Sequence, residues 1–185
     1  RNFAIWVIVG LLVIALFQLF QNPGRGGGSN EIAFSQFLDD VESGKVKHVG
    51  VSNHKLSDIE RANRILGTCG FRIEAIQNHF SLLYRDSEKA GLLEYCREQC
   101  IPFFAYMVLE QGALSGQYGP GRAMPIGTNR AKVYNGILHK LEKLTSKLVE
   151  VGQNVGANPA EVAIAWALSK GVTPIIGVTR PAHVD

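Results

Sequence analysis

The chain has 185 residues, of which 46% are hydrophobic, and its 19 basic and 16 acidic side chains give a formal net charge of +3. This charge is too small and too dispersed to indicate nucleic-acid binding, and the hydrophobic fraction excludes a disordered chain. Cys69, Cys96 and Cys100 have neither C-x-x-C nor metal-ligand spacing. We therefore expect reduced thiols, no disulfide framework and no metal site.

The first twenty residues are the most apolar part of the sequence. From Phe3 to Phe20 there is no charged side chain, and as a helix this segment would be about 27 Å long, close to the hydrocarbon thickness of a bilayer. It predicts a transmembrane anchor over residues 1–21, a single-pass membrane location and contact with the membrane, with the side of the remaining chain undetermined. An uncleaved signal peptide and a buried helix are the alternatives. Residues 22–30 are rich in Gly and predict a flexible linker.

Strand and helix patterns alternate after a short helix predicted over residues 35–41. Units of about 25 to 30 residues that alternate in this way predict an α/β fold with a parallel sheet. Four strands are half of a (β/α)₈ barrel, so we expect a transmembrane helix followed by a partial (half) TIM barrel. The strands are expected at 45–51, 72–76, 102–106 and 173–178. The helices are expected at 55–66 with a capping box at Ser57 and Glu60, at 87–99, at 129–151, and after the Asn158 cap to residue 170.

Residues 2–49 carry the motifs of one known family. The apolar segment ends in LFQLFQNP and is followed by EIAFSQFLDDVESGKVKHV, with the spacing S-x-F-L-x-x-V-x-x-G-x-V. In this order the motifs resemble the N-terminus of the bacterial membrane-anchored ATP-dependent zinc metalloproteases (the FtsH family). The resemblance implies that residues 31–49 begin an FtsH-like extracytoplasmic domain. Neither G-x-x-x-x-G-K-[ST] nor H-E-x-x-H occurs in the sequence, so the motifs for ATP hydrolysis and proteolysis are missing.

Residues 45–185 resemble the C-terminal half of an aldo/keto reductase. The motifs are GVSNH at 50–54, IQNHFSLLYR at 76–85, FFAYMVLEQGALSGQY at 103–118 and NPAEVAIAWALSKGVTPIIGVTRPAHV at 158–184. Their order is that of the family's fifth to eighth strands. The resemblance implies an oxidoreductase that uses NAD(P)(H). Because the two resemblances overlap at residues 45–49, we expect a chimera of two families that are joined at this shared stretch.

The same resemblance implies a cofactor site at the carboxyl ends of the strands. Residues after the first two strands would hydrogen-bond the carboxamide of the nicotinamide ring, and a tyrosine at the end of the third would stack on that ring. The backbone of the following loop would approach the pyrophosphate, and residues after the fourth strand would contact the adenosine phosphate, with an arginine favouring NADP. Singly, each residue also fits a turn, core or surface role. The expected residues are Ser52, Asn53, Gln77, Tyr106, Leu109, Gln111, Gly177, Thr179 and Arg180.

No catalytic residue is assigned. In the resembled family an Asp, a Tyr, a Lys and a His transfer the proton from the first four strands, and none of the four motifs corresponds to those strands. We therefore expect a fragment without reductase activity. The open edges of a half-barrel predict self-association. A membrane-tethered interaction module and a truncated FtsH-type protease subunit are the alternatives.

Overall fold

The computed structural model describes residues 33–178, apart from the side chain of Phe34. The predicted anchor and linker lie outside this range, and so do Thr179 and Arg180. The chain divides into two compact units, residues 1–40 and 41–185. Residues 33–40, most of which are helical, are the described part of the first unit, and the sheet belongs to the second unit.

Strands and helices alternate along the described residues, as the sequence predicts. The elements are α1 (Phe34–Glu42), β1 (Val49–Ser52), α2 (Leu56–Gly67), β2 (Ile73–His79), α3 (Asp86–Lys89), α4 (Leu92–Glu98), β3 (Phe103–Tyr106), α5 (Asn129–Tyr134), α6 (Leu138–Val155), α7 (Pro159–Ser169) and β4 (Thr173–Pro174), with a 3₁₀ turn at Glu110–Gly112.

The four strands form one parallel sheet in the order β1-β2-β3-β4. This confirms the predicted α/β class and the four parallel strands. Since the strands are parallel, all their carboxyl ends lie at one edge of the sheet, where Ser52 is paired with Gln77 and His79 with Tyr106. The register therefore brings the ends of β1, β2 and β3 together.

Several predicted element boundaries are wrong. Strand β1 begins at Val49 rather than at residue 45, and the register of its pairing with β2 shifts between Val49 and Gly50. Strand β4 contains only two residues, Thr173 and Pro174, although the backbone N–H of Ile175 still donates to Ala105 O at 2.8 Å. The helix expected at 87–99 is divided because Gly91 adopts a left-handed conformation with φ of 76°.

Helix starts show which capping signals were reliable. Asn158 caps α7 as predicted, since its side chain accepts a hydrogen bond from Glu161 N and the Glu161 carboxylate accepts one from Asn158 N. The capping box predicted at Ser57 is wrong, because α2 already begins at Leu56 and its cap position is Lys55, which makes no side-chain cap bond.

The core lies between the helices and one face of the sheet. Ile76 and Phe80 are fully buried, and the Phe80 ring stacks on Trp166 of α7 at a centroid distance of 5.3 Å. Alternate residues of β2 and β3, including Gln77 and Phe104, are only partly buried. The side chains that remain accessible on the sheet are therefore those opposite the helix-covered core.

A charged cluster ties α3 to the end of α7. The Glu88 carboxylate accepts hydrogen bonds from Arg85 Nε at 2.6 Å and from Lys170 Nζ at 2.8 Å. Both cations also lie within 6 Å of the centroid of the Trp166 ring. The hydrogen bond from Arg85, followed by that from Lys170, lowers the pKa of Glu88 to about 2. With its side chain 24% exposed, Glu88 is shielded enough for these contacts to contribute to stability.

We predict that Glu88→Gln lowers the free energy of unfolding by about 1 to 2 kcal/mol at pH 7, because it removes the charge from two charge-assisted hydrogen bonds. The pKa of Glu88 is lower in the folded chain than its ordinary value of 4.5. The stabilisation is therefore complete above that value and is lost as the pH falls towards 2. Urea unfolding at pH 7 and pH 3 should show a difference between parent and variant that shrinks at the lower pH.

The matched control for this prediction is Glu94→Gln. Glu94 forms an ion pair with Arg97 on α4, but both side chains are more than half exposed, so we expect a change below about 0.5 kcal/mol. Equal destabilisation by the two substitutions would contradict the assignment.

Candidate cofactor-binding site

The four residues expected around a nicotinamide ring lie together at the carboxyl ends of β1, β2 and β3. Ser52 and Gln77 are register partners. The backbone N–H of Asn53 donates to Gln77 O at 3.0 Å, and the Tyr106 hydroxyl donates to Asn53 Oδ1 at 2.6 Å. Residues that are separated by up to 54 positions in the sequence thus form one continuous polar group.

Asn53 lies at the turn out of β1 in a left-handed conformation, with φ of 61°. Asparagine tolerates this region better than most residues because its short amide bonds locally, and here Asn53 Nδ2 donates to Ser52 Oγ at 3.1 Å. Both side chains are exposed. The predicted alternative, a simple turn before the next helix, accounts for the backbone but not for the hydrogen bond from Tyr106.

Asn78 holds this turn in place from the opposite face of β2. Its side chain is 8% exposed; Oδ1 accepts from His54 N at 3.2 Å, and Nδ2 donates to His54 O at 2.9 Å and to Ser87 Oγ at 3.3 Å. The amide thus replaces the backbone partners that the chain loses when it leaves β1. Asn78 lies inside the IQNHFSLLYR motif but is not among the site residues predicted from it.

A groove of about 340 Å³ opens on the accessible face of the sheet, and it is lined by Gly50, Val51, Ser52, Ala75, Ile76, Gln77 and Phe104. Within residues 33–178 the side-chain amide of Gln77 has no hydrogen-bond partner. Hydroxyl and amide groups offer both donors and acceptors, which is what a neutral carboxamide requires. The residues present therefore fit a nicotinamide ring at this edge.

Tyr106 belongs to a row of stacked rings. The His79 ring stacks on Tyr84 at a centroid distance of 4.2 Å and an interplanar angle of 5°, and on Tyr106 at 5.5 Å and 26°. The negative charge of Asp86, followed by partial burial, raises the pKa of Tyr84, so its hydroxyl stays protonated at neutral pH. Tyr106 is consequently a supported, partly exposed ring rather than a core residue.

Glu110 is a buried acid that the sequence analysis missed. It is 3% exposed, and its carboxylate lies 2.7 Å from His79 Nε2 and accepts hydrogen bonds from the hydroxyls of Ser81 and Tyr134. Burial, followed by the contact with Glu110, raises the pKa of Tyr134. A glutamate within a Gly-rich segment is typical of the protein surface. The only sequence feature that indicates burial of Glu110 is the apolar run that precedes it.

The other expected residues lie in the loops after β3 and β4. Leu109 is partly buried and packs against the cluster of Leu114, Leu148 and Ala163. Gln111 and Gly177 are exposed. Among the described residues, no hydrogen bond or ring contact joins these positions to Asn53 or Tyr106. The part of the chain that the structure describes contains no group of three His, Cys, Asp or Glu residues that could hold a metal ion.

A parallel sheet covered by helices, with polar side chains and a groove at the carboxyl ends of its strands, defines an α/β protein of the TIM-barrel type, whose ligands bind at that edge. The chain belongs to the aldo/keto reductase family, because the sequence model of that family matches residues 31–185. This confirms the resemblance inferred from the four motifs. The match also includes residues 31–49, so it gives no support to an FtsH-like domain there.

Individual relatives agree with this assignment. The chain is 33% identical over 144 residues to the chloroplastic pyridoxal reductase of Arabidopsis thaliana, and the aligned region covers 78% of this chain and 39% of that protein. It is 26% identical over 152 residues to an NADP(+) aldo-keto reductase of Schizosaccharomyces pombe, with 78% of this chain and 43% of that protein covered. A glycerol dehydrogenase from Gluconobacter oxydans has a similar fold, with a TM-score of 0.67 and 21% identity over 81% of this chain and 45% of that one. The chain thus spans about two fifths of the length of these two curated relatives.

The predicted single-pass membrane location is wrong on the present findings. Across residues 33–178 the structure contains no helix that is both long enough and apolar enough to cross a membrane. The family match, moreover, is to reductases. The apolar segment on which the prediction depended, residues 3–20, lies outside the described range.

We predict that Asn78→Ala lowers the free energy of unfolding by about 2 kcal/mol, because it removes buried hydrogen bonds and leaves both polar groups of the His54 backbone without their partners. Hydrogen exchange at the His54 amide should become faster. Chemical denaturation and amide exchange measure the two effects.

Ser87→Ala is the control, because Ser87 makes only the longer of the Asn78 contacts, and we expect it to change stability by less than about 1 kcal/mol. Unchanged exchange at His54 in Asn78→Ala would contradict the role given to this side chain.

Proposed function

We propose that the chain binds NADP(H) at the carboxyl ends of β1, β2 and β3, as the cofactor-binding half of an aldo/keto reductase. The observation that carries the proposal is the convergence of Ser52, Asn53, Gln77 and Tyr106 beside an accessible groove. The first three residues would bond the carboxamide, and the Tyr106 ring would support the nicotinamide face.

The remainder of the cofactor would extend towards the loops. The backbone near Leu109 and Gln111 would approach the pyrophosphate, and Gly177, which is exposed, leaves room beside it. The preference for NADP over NAD depends on Thr179 and Arg180, since a guanidinium pairs well with a phosphate. The NADP(+) named for the relative from Schizosaccharomyces pombe supports that preference.

The bound cofactor supplies the hydride for carbonyl reduction, and the chain's own residues hold and orient the ring. A polypeptide of residues 1–185 alone would lack carbonyl reduction, because its motifs correspond to the strands that bind the cofactor and not to those that carry the family's proton donors. In this proposal its fold corresponds to strands five to eight of the barrel. We expect an assay of NADPH oxidation with small aldehydes to show no turnover above the uncatalysed rate.

The FtsH resemblance of residues 2–49 remains a separate proposal about ancestry. It is supported by the ordered LFQLFQNP and S-x-F-L-x-x-V-x-x-G-x-V motifs, and by the KVKHV stretch that fits both families. Genomic reads that span codons 45–49 would test whether the two parts are contiguous in DNA.

The cofactor proposal predicts that NADPH binding depends on Gln77. Gln77→Ala should weaken the affinity about fivefold or more, because it removes an amide without an intramolecular partner, whereas the fold should be unaffected. Titration of NADPH fluorescence against the purified chain measures the dissociation constant.

Gln153→Ala is the matched control, since Gln153 is an exposed glutamine on α6. An equal loss in both variants, or no binding by the parent chain at micromolar concentrations, would refute the proposed site.

We also propose that the polypeptide of residues 1–185 self-associates through its sheet. Within the described range β1 pairs only with β2, and β4 only with β3, so each has an unpaired edge. Ile175 and Val178, which follow the end of β4, are 42% and 55% exposed. Unpaired edges and exposed apolar side chains favour pairing with a second copy.

Light scattering after size-exclusion chromatography should therefore give a mass of two chains or more. Val178→Lys should shift the distribution towards one chain, whereas Val155→Lys, at the exposed end of α6, should not. A monodisperse monomer for the parent chain is the result that excludes self-association.

A further inference from the structure

The Glu110 carboxylate is connected through one residue to the ring that would support the nicotinamide. The His79 ring stacks on Tyr106 at a centroid distance of 5.5 Å, and His79 Nε2 lies 2.7 Å from the Glu110 carboxylate. One imidazole ring therefore bridges a buried carboxylate and the Tyr106 ring. The Glu110 side chain is 4% exposed and the His79 side chain 24%, so solvent screens this arrangement poorly.

The partners of Glu110 are arranged for an ionised carboxylate. Ser81 Oγ accepts hydrogen bonds from the backbone N–H groups of Leu83 and Tyr84, so its own proton is directed to Glu110. The Tyr134 hydroxyl is a second donor, and burial, which raises its pKa, keeps it protonated. A carboxylate that only accepts satisfies all of these donors.

Among the described residues, no fixed cation neutralises this charge. Glu110 is contacted from β2 and its following loop by His79 and Ser81, and from α5 by Tyr134, and within residues 33–178 it forms no ion pair with a lysine or an arginine. Its one described neighbour that can carry a positive charge is His79. When the imidazole is neutral, the cluster carries one negative charge.

We propose that Glu110 makes the cofactor site favour the oxidised nicotinamide ring, which carries a positive charge, over the neutral reduced ring. This inference rests on the proposed function and adds a property that no residue in contact with the carboxamide supplies. Unit charges about 10 Å apart, at an effective dielectric constant of about 20 to 40, attract strongly enough for a roughly 4- to 15-fold difference in affinity.

The ratio of the two dissociation constants separates this role from a structural one. A residue that merely keeps the loop folded would weaken NADP⁺ and NADPH binding equally when it is replaced. Loss of a nearby charge weakens only the binding of the charged ring, and therefore changes the ratio.

The test uses the chain of residues 1–185 at about pH 8.5. NADPH is titrated by its fluorescence and NADP⁺ by displacement of NADPH. Glu110→Gln should shift the ratio of dissociation constants towards NADPH by at least about threefold. Glu110→Asp, which keeps the charge, should retain most of the parent ratio, and so should Ser81→Ala and Tyr134→Phe, which remove one hydrogen bond each.

Circular dichroism establishes which variants fold. If Glu110→Gln does not, the triple variant Glu110→Leu, Ser81→Ala and Tyr134→Phe removes the same charge while leaving fewer unpaired groups, and its ratio is measured instead. An unchanged ratio in the charge-free variant, with binding intact, overturns this inference alone. Absence of binding by the parent chain overturns the proposed function and the inference with it.

Discussion

The parallel register of β1, β2 and β3 is the constraint on which the site depends. Because side chains alternate along a strand, Asn78 faces the helix-covered side of β2 while Gln77 and His79 face the accessible side. Asn78 fixes the turn that carries Asn53, and Gln77 and His79 meet Ser52 and Tyr106 across the sheet. One strand thus supplies both the support and the lining, and a shift of one residue in its register would exchange them.

The sequence was sufficient for the fold class but not for the ends of its elements. Apolar runs that alternate with helical periodicity predicted four parallel strands, because each strand must bury one face whatever its neighbours are. The lengths of β1 and β4 depend instead on where β2 and β3 offer partners. The break at Gly91 depends on a backbone conformation that glycine permits but does not require.

The candidate site likewise contains residues that the sequence predicts and residues that it does not. Ser52, Asn53, Gln77 and Tyr106 were predicted by an ordered set of motifs, whereas each alone is indistinguishable from a turn or core residue. Glu110 could not be found in this way, because the partners that make it a buried acid come from positions 79, 81 and 134. Local sequence carries no record of contacts that only the folded chain creates.

The loop after β3 owes its shape to those distant contacts. Met107, Glu110 and Gln111 have φ of 61°, 49° and 52°, a region that costs non-glycine residues about 1 to 2 kcal/mol each. A buried carboxylate is a further cost unless it is fully bonded. The contacts of His79, Ser81 and Tyr134 with the Glu110 carboxylate offset the cost of burial and the cost of the backbone conformation. They do so together because Glu110 is itself one of the left-handed residues. Since Tyr134 belongs to α5, the conformation of the loop depends on the position of that helix as well as on the residues that follow β2.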